Sequence, residues 1–222
     1  MGVPRTTFAG AGGRHPGWPA VLGGLRVPAG EVGLRPIRLR DATVWSRLRL
    51  RDVHHLQPWE PTAPGTWTDR HAMLSWPAQC TSLRSMARRG HALPFAITLN
   101  GSFCGQFTVG NVVRGALLSA WVGYWVASDA IGGGVATAAT ALGVDHCFGP
   151  VGLHRVEATV RPENLASRRV LAKLGFREEG LHERYLEVGG SWRDHLVYAL
   201  TEEDAPNGLV TRLIRAGRAA PA

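Results

Sequence analysis

Three consecutive glycines, Gly132 to Gly134, separate an aromatic apolar run from an alanine-rich run. A backbone without Cβ atoms can approach a bulky anion closely, and the first N–H groups of a following helix are free to bind it. Thr137 adds a hydroxyl shortly afterwards. The spacing indicates a phosphate-binding turn from a strand into a helix, and a tight turn without a ligand is the alternative.

This loop matches neither of two common nucleotide-binding motifs. No Gly-Lys-Ser/Thr sequence follows it, as a Walker A loop requires. The step from Gly134 to Thr137 lacks the third glycine of a Rossmann fingerprint, and the loop lies in mid-chain. A phosphate bound here would therefore belong to another class of ligand.

The charge balance suits an anionic ligand. The formal net charge is +8, and all of the 25 basic residues except Lys173 are arginines. Guanidinium groups bind phosphates and carboxylates through paired hydrogen bonds. Because the charge is spread along the chain and forms no cluster, direct binding of nucleic acid is not predicted.

The cysteines bear on the compartment. Cys80, Cys104 and Cys147 are odd in number and far apart, so they predict neither a disulfide framework nor a zinc site. No His/Cys/Asp cluster has ligand spacing, and no metal is expected. The N-terminal sequence lacks the apolar core of a secretory signal. Together these features predict a cytoplasmic protein.

Residues 115–144 contain Asp129 as their only charged residue and could be mistaken for a membrane span. The glycines and Asp129 interrupt the stretch, and its halves differ in character. Residues 117–126 are aromatic and β-branched, as in a strand, whereas residues 135–148 are alanine-rich, as in a helix. We therefore expect two core elements and no membrane segment.

Turn residues divide the rest of the chain. Asn100-Gly101 and Gly189-Gly190 each join two strand-like runs and predict hairpins. The proline-rich residues 55–65 predict a loop. The other expected strands are 32–40, 117–126 and 154–162. The first expected helix follows Asp41 as its N-cap, and the second covers most of 66–90, with Thr68 as cap and Pro77 as an interruption. The third follows the glycine loop and ends at about residue 148, and the fourth begins at Asn164 and ends at Gly175.

This order of elements predicts a mixed α+β fold around one sheet. Residues 1–30 are expected to form a Gly/Pro-rich extension that is partly ordered, and its far end is expected to be disordered. Residues 31–202 are expected to form the main domain, and residues 203–222 a short helix and a tail.

A second segment, residues 164–180, changes the interpretation of the glycine loop. The two segments together resemble the GNAT superfamily of acetyl-CoA-dependent N-acetyltransferases. In that family a Gln/Arg-x-x-Gly-x-Gly/Ala loop follows a strand at a splayed sheet edge and holds the pyrophosphate of coenzyme A. Ile131 to Ala136 occupy the six loop positions here, and Asn164, Ser167 and Lys-Leu-Gly-Phe at 173–176 also match.

The resemblance covers about residues 32–200 and implies a GNAT fold. That fold has a central, mostly antiparallel, twisted sheet of about seven strands, splayed at the cofactor site, with about four helices. Residues 56–61, 164–180 and 189–200 are similar to the RimJ/RimL branch, whose members acetylate the N-terminal amine of ribosomal proteins. The implied reaction is direct acetyl transfer from acetyl-CoA to a primary amine.

The resemblance also implies which residues contact acetyl-CoA. The pantetheine arm would run along the strand end at Tyr124, Trp125 and Val126, as an added strand does, although their side chains could equally serve sheet packing. The Val126 N–H is the candidate oxyanion donor. The loop residues implied in pyrophosphate binding are Ile131, Gly132, Gly133, Gly134, Val135, Ala136 and Thr137.

Ser167 is the candidate acid that protonates the departing thiolate. Many family members use a tyrosine four residues before the Gly-Phe pair, but Leu171 stands there in this chain. A serine at the position of Ser167 is the proposed acid in the RimJ/RimL branch, and a structural hydrogen bond is the alternative. Asn164 is either a helix N-cap or a ligand of the pantetheine or of a water molecule.

Glu60, in the Pro-Trp-Glu-Pro segment, is the candidate base or ammonium anchor on the acceptor side. Its neighbours Trp59 and several prolines can desolvate the carboxylate, which would raise its pKa. A solvated loop glutamate is the alternative. The rival groups are Glu178, Glu179, Glu183, Glu187, His54, His55 and His71.

Two other functions stay open at this stage. Because Ile131 and Leu171 depart from the family pattern, the chain could be an acyl-CoA sensor or ribosome-associated factor without turnover. A small-molecule amine could also be the acceptor. A monomer or a homodimer is expected.

Overall fold

The computed structural model describes residues 16–222. Residues 1–15, the far end of the predicted extension, lie outside the described residues. The strands are β1 (Leu22–Val27), β2 (Gly30–Pro36), β3 (Ala92–Leu99), β4 (Ser102–Val113), β5 (Ser119–Val126), β6 (Arg155–Val160), β7 (Arg177–Val188), β8 (Ser191–Thr201) and β9 (Ala220–Pro221). The α-helices are α1 (Ala42–Arg51), α2 (Val53–Leu56), α3 (Trp67–His71), α4 (Trp76–Arg88), α5 (Val135–Phe148), α6 (Leu165–Leu174) and α7 (Leu209–Arg215).

Both predicted hairpins are present. Asn100 and Gly101 join β3 to β4 with φ values of 49° and 78°, and Gly189 and Gly190 join β7 to β8 with 61° and 77°. Two successive positive φ angles twist the chain as flanking strands require, and Asn and Gly tolerate them best. The turn residues therefore set the register of both hairpins.

The strands form one sheet in the order β7-β8-β6-β5-β4-β3-β2-β1-β9. Neighbouring strands are antiparallel except β5 and β6, which are parallel. Ser119–Trp121 of β5 pair with Arg155–Glu157 of β6, and beyond this point β6 continues with β8 as its partner. The two strands diverge after the third pair, which leaves the end of β5 with a free edge.

Helices cover both faces of the sheet. On one face α5, α6 and α7 pack over the strands, and α5 is buried on nearly every side. On the other face α1 and α4 pack through Trp45 and Trp76. Side chains alternate between faces along a strand, so in β3 Phe95 and Ile97 face α5 whereas Ala96 faces α1 and α4. The layers are helix, sheet, helix.

The mixed α+β GNAT fold is confirmed, with nine strands and seven α-helices within residues 16–222 instead of about seven and about four. β1 was missed because glycines weaken its strand pattern, and β9 has two residues. α2 and α3 span four and five residues, too short for helical periodicity to reveal them. The strand expected at 32–40 ends at Pro36.

Two local expectations near the first helices were wrong, and a third was right in position only. Thr66, not Thr68, caps α3 by accepting a hydrogen bond from Asp69 N at 3.1 Å. Pro77 lies in the first turn of α4 and does not interrupt the helix. Backbone N–H groups in a first turn have no acceptor within the helix, so the absence of an N–H in proline costs no hydrogen bond there. Asp41 is the N-cap residue of α1, as predicted, but its carboxylate is paired with Arg35 and accepts no hydrogen bond from the helix.

The apolar stretch at 115–144 forms β5, the glycine loop and the first part of α5. Among residues 16–222, no helix is both long enough and apolar enough to cross a membrane.

Candidate active site at the split in the sheet

The free edge of β5 faces the gap left by β6. Just after β5, Ala127 N donates a hydrogen bond to Cys104 O of β4 at 2.8 Å. Because N–H groups alternate in direction along an antiparallel strand, those of Val126 and Tyr124 point away from β4 and into the gap. Val126 is buried, and its N–H is available to an oxygen atom placed in the gap. The role of Val126 as oxyanion donor stays a prediction.

The glycine loop leads from β5 into α5. Gly134 is the N-cap of α5 with φ of 88°, and Gly132 has φ of 80°. These are conformations that residues with a side chain rarely adopt. The first N–H groups of a helix have no acceptor within the helix, and the helix dipole is positive there. The loop can therefore bind an anion through its backbone.

The second glycine serves packing. A Cβ on Gly133 would lie 2.5 Å from Ala29 Cβ in the β1–β2 turn, and Gly133 O accepts a hydrogen bond from Ala29 N at 3.2 Å. No atom lies within 4 Å of a Cβ placed on Gly132. The hairpin turn supports one side of the loop, while Gly132 borders open space.

The side chains of the loop contribute little polarity to the site. Ile131 is exposed and extended, whereas Val135 and Thr137 are buried in α5 and Ala136 is half-buried. Thr137 thus lies at the expected place, but its burial limits its access to a ligand. A phosphate bound at this loop would therefore be held mainly by backbone N–H groups of the loop and of the first turn of α5.

Ser167 and Tyr124 meet across the gap. Ser167 lies in the first turn of α6, and its Oγ is 2.9 Å from Tyr124 Oη on β5. Asn164 caps α6 through its Oδ1, which accepts from Ser167 N at 3.1 Å. Burial raises the pKa of Tyr124 to about 12, although the hydrogen bond with Ser167 acts in the opposite direction. The sequence analysis placed both residues at the cofactor but did not foresee their contact.

Neighbouring residues of β5 serve opposite faces of the sheet. Tyr124 packs on the face of α5 and α6, whereas Trp125 packs on the face of α1 and α4. Trp125 Nε1 donates to Gln106 Oε1 at 3.3 Å, which fixes the ring. At the end of β5, the Tyr124 side chain therefore contacts the sheet face covered by α5 and α6, and the Trp125 side chain contacts the face covered by α1 and α4.

Glu60 lies in an ion-pair cluster on the α1 side. Its Oε2 accepts from Arg49 Nη2, and its Oε1 accepts from Arg70 Nη1 at 3.2 Å. A quarter of the Glu60 side chain is exposed, with 25% relative accessibility. Two adjacent guanidinium groups favour the ionised carboxylate, which opposes the desolvation that the sequence analysis emphasised.

His71 is already occupied by structural contacts. Its Nδ1 donates to Trp67 O at 2.8 Å, so its Nε2 accepts from Arg49 Nη2 at 2.8 Å. Burial, followed by the charge of Arg49, lowers the pKa of His71 to about 4. The ring is therefore neutral at neutral pH and has no free nitrogen for proton transfer.

Arg49 connects this cluster to the strand end. Its guanidinium carbon lies 4.7 Å from the ring centroid of Trp67 and 5.0 Å from that of Trp125. Burial, followed by the charge of Arg70, lowers the pKa of Arg49 to about 9. No spacing in the sequence marks Arg49, because its partners come from three separate segments: the Glu60 loop, α3 and β5.

The loop that carries Glu60 is attached to the far side of the gap. Arg161, just after β6, donates from Nη1 to Pro58 O at 2.9 Å and lies 5.4 Å from the Trp59 ring centroid. Thr62 N donates to Glu187 O of the β7–β8 hairpin at 2.8 Å. The loop and the hairpin therefore form one continuous wall beside the gap.

Two of the four rival carboxylates are engaged elsewhere. Glu178 accepts from Tyr198 Oη at 2.6 Å, and Glu179 is ion-paired with Arg155 and Arg177. Within residues 16–222, no group of three or more His, Cys, Asp or Glu residues is placed to hold a metal ion.

Asp52 fastens the end of α1 to the turn after β5. Its carboxylate accepts from Ser128 N at 2.8 Å and Ser128 Oγ at 2.7 Å, and it pairs with Arg51 through two further hydrogen bonds. Arg51 also donates to Asp129 at 2.8 Å. This network holds the segment between Val126 and the glycine loop.

Asp52 should make the protein sensitive to acid. Burial alone raises the pKa of this carboxyl, but the hydrogen bonds from Arg51 and Ser128 outweigh it and lower the pKa from 3.8 to about 2. Because the folded-state pKa is depressed, this stabilisation, about 2 kcal/mol, is present above pH 4 and disappears as the pH falls toward 2. Urea unfolding of Asp52→Asn and the unsubstituted protein should differ by that amount at pH 7.

The difference should narrow below pH 4, because the carboxylate is then protonated in both the folded and the unfolded protein. Ser128→Ala removes one of the hydrogen bonds and should give a smaller loss with the same pH dependence. An Asp52→Asn protein that is as stable as the unsubstituted one at pH 7 would show that the network contributes no net stability.

Comparison with known proteins agrees with this architecture. Residues 31–177 match the family model of the acetyltransferase (GNAT) domain. The structure of Mycobacterium smegmatis RimJ in complex with CoA-disulfide is 62% identical in sequence to this chain and superposes on it with a TM-score of 0.93. The match covers 94% of this chain and 100% of that one.

Two curated relatives add detail. The [Ribosomal protein uS5]-alanine N-acetyltransferase of Escherichia coli (strain K12) is 29% identical over 183 residues, 81% of this chain and 92% of that protein. The probable N-acetyltransferase YjcK of Bacillus subtilis (strain 168) is 41% identical over 100 residues, 45% of this chain and 55% of that protein, so the chain matches about half of its length. This protein belongs to the GNAT acetyltransferase family, in the group that contains RimJ.

Proposed function

We propose that this chain is an acetyl-CoA-dependent N-acetyltransferase whose acceptor is the N-terminal α-amine of a protein, in the first place a ribosomal protein. The observation that carries the proposal is the glycine loop at the start of α5 next to the free edge of β5. The two features offer backbone N–H groups to a pyrophosphate and to an extended arm, the two parts that coenzyme A presents.

The names of the relatives support the acceptor. One similar structure is a RimJ in complex with CoA-disulfide, and one curated relative acetylates an alanine of ribosomal protein uS5. A cytoplasmic location, where ribosomal proteins are made, is consistent with this proposal.

When bound, acetyl-CoA supplies the acetyl group as a thioester. The backbone of Gly132 to Thr137 holds the pyrophosphate, with Ile131 beside it and without a side-chain hydrogen bond from that position. The Val126 N–H stabilises negative charge that develops on the thioester oxygen. Ser167 Oγ donates a hydrogen bond to the departing sulfur. The acceptor amine approaches from the wall formed by the Glu60 loop and the β7–β8 hairpin.

Glu60 fits the ammonium anchor better than the base. Its two oxygens are bonded to Arg49 and Arg70, so a cationic amine would share the carboxylate with these guanidinium groups, and the carboxylate is a weak acceptor for the amine proton. The proton then leaves through solvent or another group at the wall. Neutral His71 cannot take this role, because both of its nitrogens are bonded.

The direct test measures the release of the coenzyme A thiol. The full chain should release thiol from acetyl-CoA when given peptides that begin with a free Ala or Ser. The same peptides with a blocked N-terminus are the matched control and should release none. Mass spectrometry should place one acetyl group on the N-terminal nitrogen, because direct transfer modifies the attacking amine.

Other results would favour the other candidates. Binding of acetyl-CoA in calorimetry without thiol release from any amine would favour an acyl-CoA sensor. Thiol release with small amines but with no peptide would favour a small-molecule acceptor. If no acetyl-CoA binds at millimolar concentration, the proposal is wrong at its first step.

A further inference from the structure

The contact between Tyr124 and Ser167 joins the two sides of the gap. Tyr124 lies on the free end of β5, two residues before the candidate oxyanion donor Val126, and Ser167 lies on α6. Their hydroxyl oxygens are 2.9 Å apart, a normal hydrogen-bond distance. The acyl donor in our proposed function lies between β5 and α6, so this bond is located beside the reacting sulfur.

The chemistry of the two hydroxyls indicates which one donates. A phenolic O–H is more acidic than an alkyl O–H and is the better donor, and each hydroxyl carries a single proton. Burial raises the pKa of Tyr124 to about 12, so its proton stays in place at neutral pH. If Tyr124 donates to Ser167 Oγ, the Ser167 proton is not used in this bond and can point into the gap.

Ser167 makes hydrogen bonds through both its backbone N–H and its side-chain Oγ. Its N–H is taken by Asn164 Oδ1 at 3.1 Å, which fixes the first turn of α6. The Oγ atom has two lone pairs, one of which can accept from Tyr124. A hydroxyl that accepts one hydrogen bond becomes a stronger donor in the next, because chains of hydrogen bonds polarise one another.

From this geometry we infer that Tyr124 is a positioning residue for acetyl transfer, which donates to Ser167 Oγ and thereby aims the Ser167 proton at the sulfur of the thioester. The inference rests on the proposed function. The amine nitrogen forms a bond to the acetyl carbon with its lone pair, and as the C–S bond breaks its electron pair goes to the sulfur, which Ser167 stabilises by a hydrogen bond. The amine loses one proton and the sulfur gains one, so Tyr124 and Ser167 end with the protons they began with.

Three variants test the inference, with a fourth as control. Tyr124→Phe keeps the ring and removes the hydroxyl, and it should lower kcat about tenfold, the value of one hydrogen bond, with little change in KM for acetyl-CoA. Ser167→Ala should lower kcat at least as much. The double variant should be no slower than Ser167→Ala, because Tyr124 acts through Ser167. Tyr198→Phe removes another hydrogen-bonded tyrosine hydroxyl, away from β5, and should leave kcat unchanged.

A second measurement does not depend on turnover. The acidity of the thiol of bound coenzyme A can be followed by the ultraviolet absorbance of the thiolate. Without the donor from Ser167 the thiolate is less stable, so Tyr124→Phe and Ser167→Ala should each lower the acidity constant of the bound thiol several-fold, by about the value of one hydrogen bond. If the unsubstituted protein binds coenzyme A but acetylates no amine, the proposed function fails, and the thiol titration still decides the role of Tyr124.

Several outcomes would overturn the inference. Unchanged kcat and unchanged thiol acidity in Tyr124→Phe would remove Tyr124 from the reaction. Losses that add in the double variant would mean that the two hydroxyls act separately. A loss of kcat accompanied by an equal loss of coenzyme A affinity would indicate a packing role. If Tyr124→Phe does not fold, a fluorinated tyrosine at position 124 keeps the shape with a more acidic hydroxyl, and a fall in kcat at a pH where it stays protonated would contradict the inference.

Discussion

Replacement of Gly134 by valine is expected to raise the dissociation constant of coenzyme A by at least about 30-fold. The residue caps α5 at φ of 88°, where a β-branched side chain is strongly disfavoured. A Cβ there would also lie 3.2 Å from Val27 Cβ, so the loop must move away from β1. The loop can relieve this backbone strain, about 2 kcal/mol, only by leaving the conformation that binds coenzyme A. Restoring that conformation on binding would cost the same free energy, which corresponds to about a 30-fold rise in the dissociation constant. Calorimetry with coenzyme A measures it.

Two variants make the comparison decisive. Ile131→Ala shortens an exposed side chain without a polar group, and it should change the affinity no more than about threefold, since surface substitutions of this kind stay within about 0.5 kcal/mol. Gly115→Val introduces a side chain at φ of 74° with no atom within 4 Å, in the turn at the far end of β5. It should destabilise the fold but leave coenzyme A binding intact. Equal losses in Gly134→Val and Ile131→Ala would contradict a cradle built from backbone.

Replacement of Arg49 by methionine is expected to lower the free energy of unfolding by about 3 kcal/mol, because it removes one partner of a buried ion pair and leaves Glu60 with Arg70 as its remaining guanidinium partner. Methionine can fill the space between Trp67 and Trp125, but it cannot donate to Glu60 or His71. The estimate is at the lower end of the range for buried pairs because Glu60 is partly exposed. In a chain of this size the melting temperature should fall by about 6–12 °C, which calorimetric scanning measures.

The matched variant is Glu60→Gln, which keeps the side-chain shape and removes the negative charge. Alone it should destabilise the protein less than Arg49→Met, and the two losses should not add, because both remove the same ion pair. Arg49→Met should also raise KM for the peptide acceptor more than KM for acetyl-CoA, since the cluster lies on the α1 face of Trp125. An unchanged melting temperature in Arg49→Met would show that the pair has no net effect on stability.

Much of the fold was predictable because its signals are local. The Asn100-Gly101 and Gly189-Gly190 turns depend on the φ preferences of two adjacent residues, and the strand–loop–helix order around Gly134 depends on composition. The short helices α2 and α3 and the strand β9 were not predictable, because tertiary contacts stabilise them and their own sequences carry little periodicity.

The candidate site divides in the same way. The roles proposed for Gly132, Gly134 and Val126 require only their backbone atoms, so their places followed from the turn and the strand end. The roles of Arg49, Asp52 and Tyr124 depend on contacts with residues up to 76 positions away, such as the hydrogen bond from Ser128 N to Asp52. No spacing along the chain encodes such contacts.

The sequence by itself determined the mixed α+β fold class, the family resemblance and the strand-to-helix turn at Gly132 to Gly134. Only the tertiary structure decided that β5 and β6 separate after three pairs, that Tyr124 reaches Ser167, and that Glu60 is held by Arg49 and Arg70. The physical reason is that backbone conformation depends on adjacent residues, whereas hydrogen bonds and ion pairs between side chains depend on which distant segments the packed sheet and helices bring together.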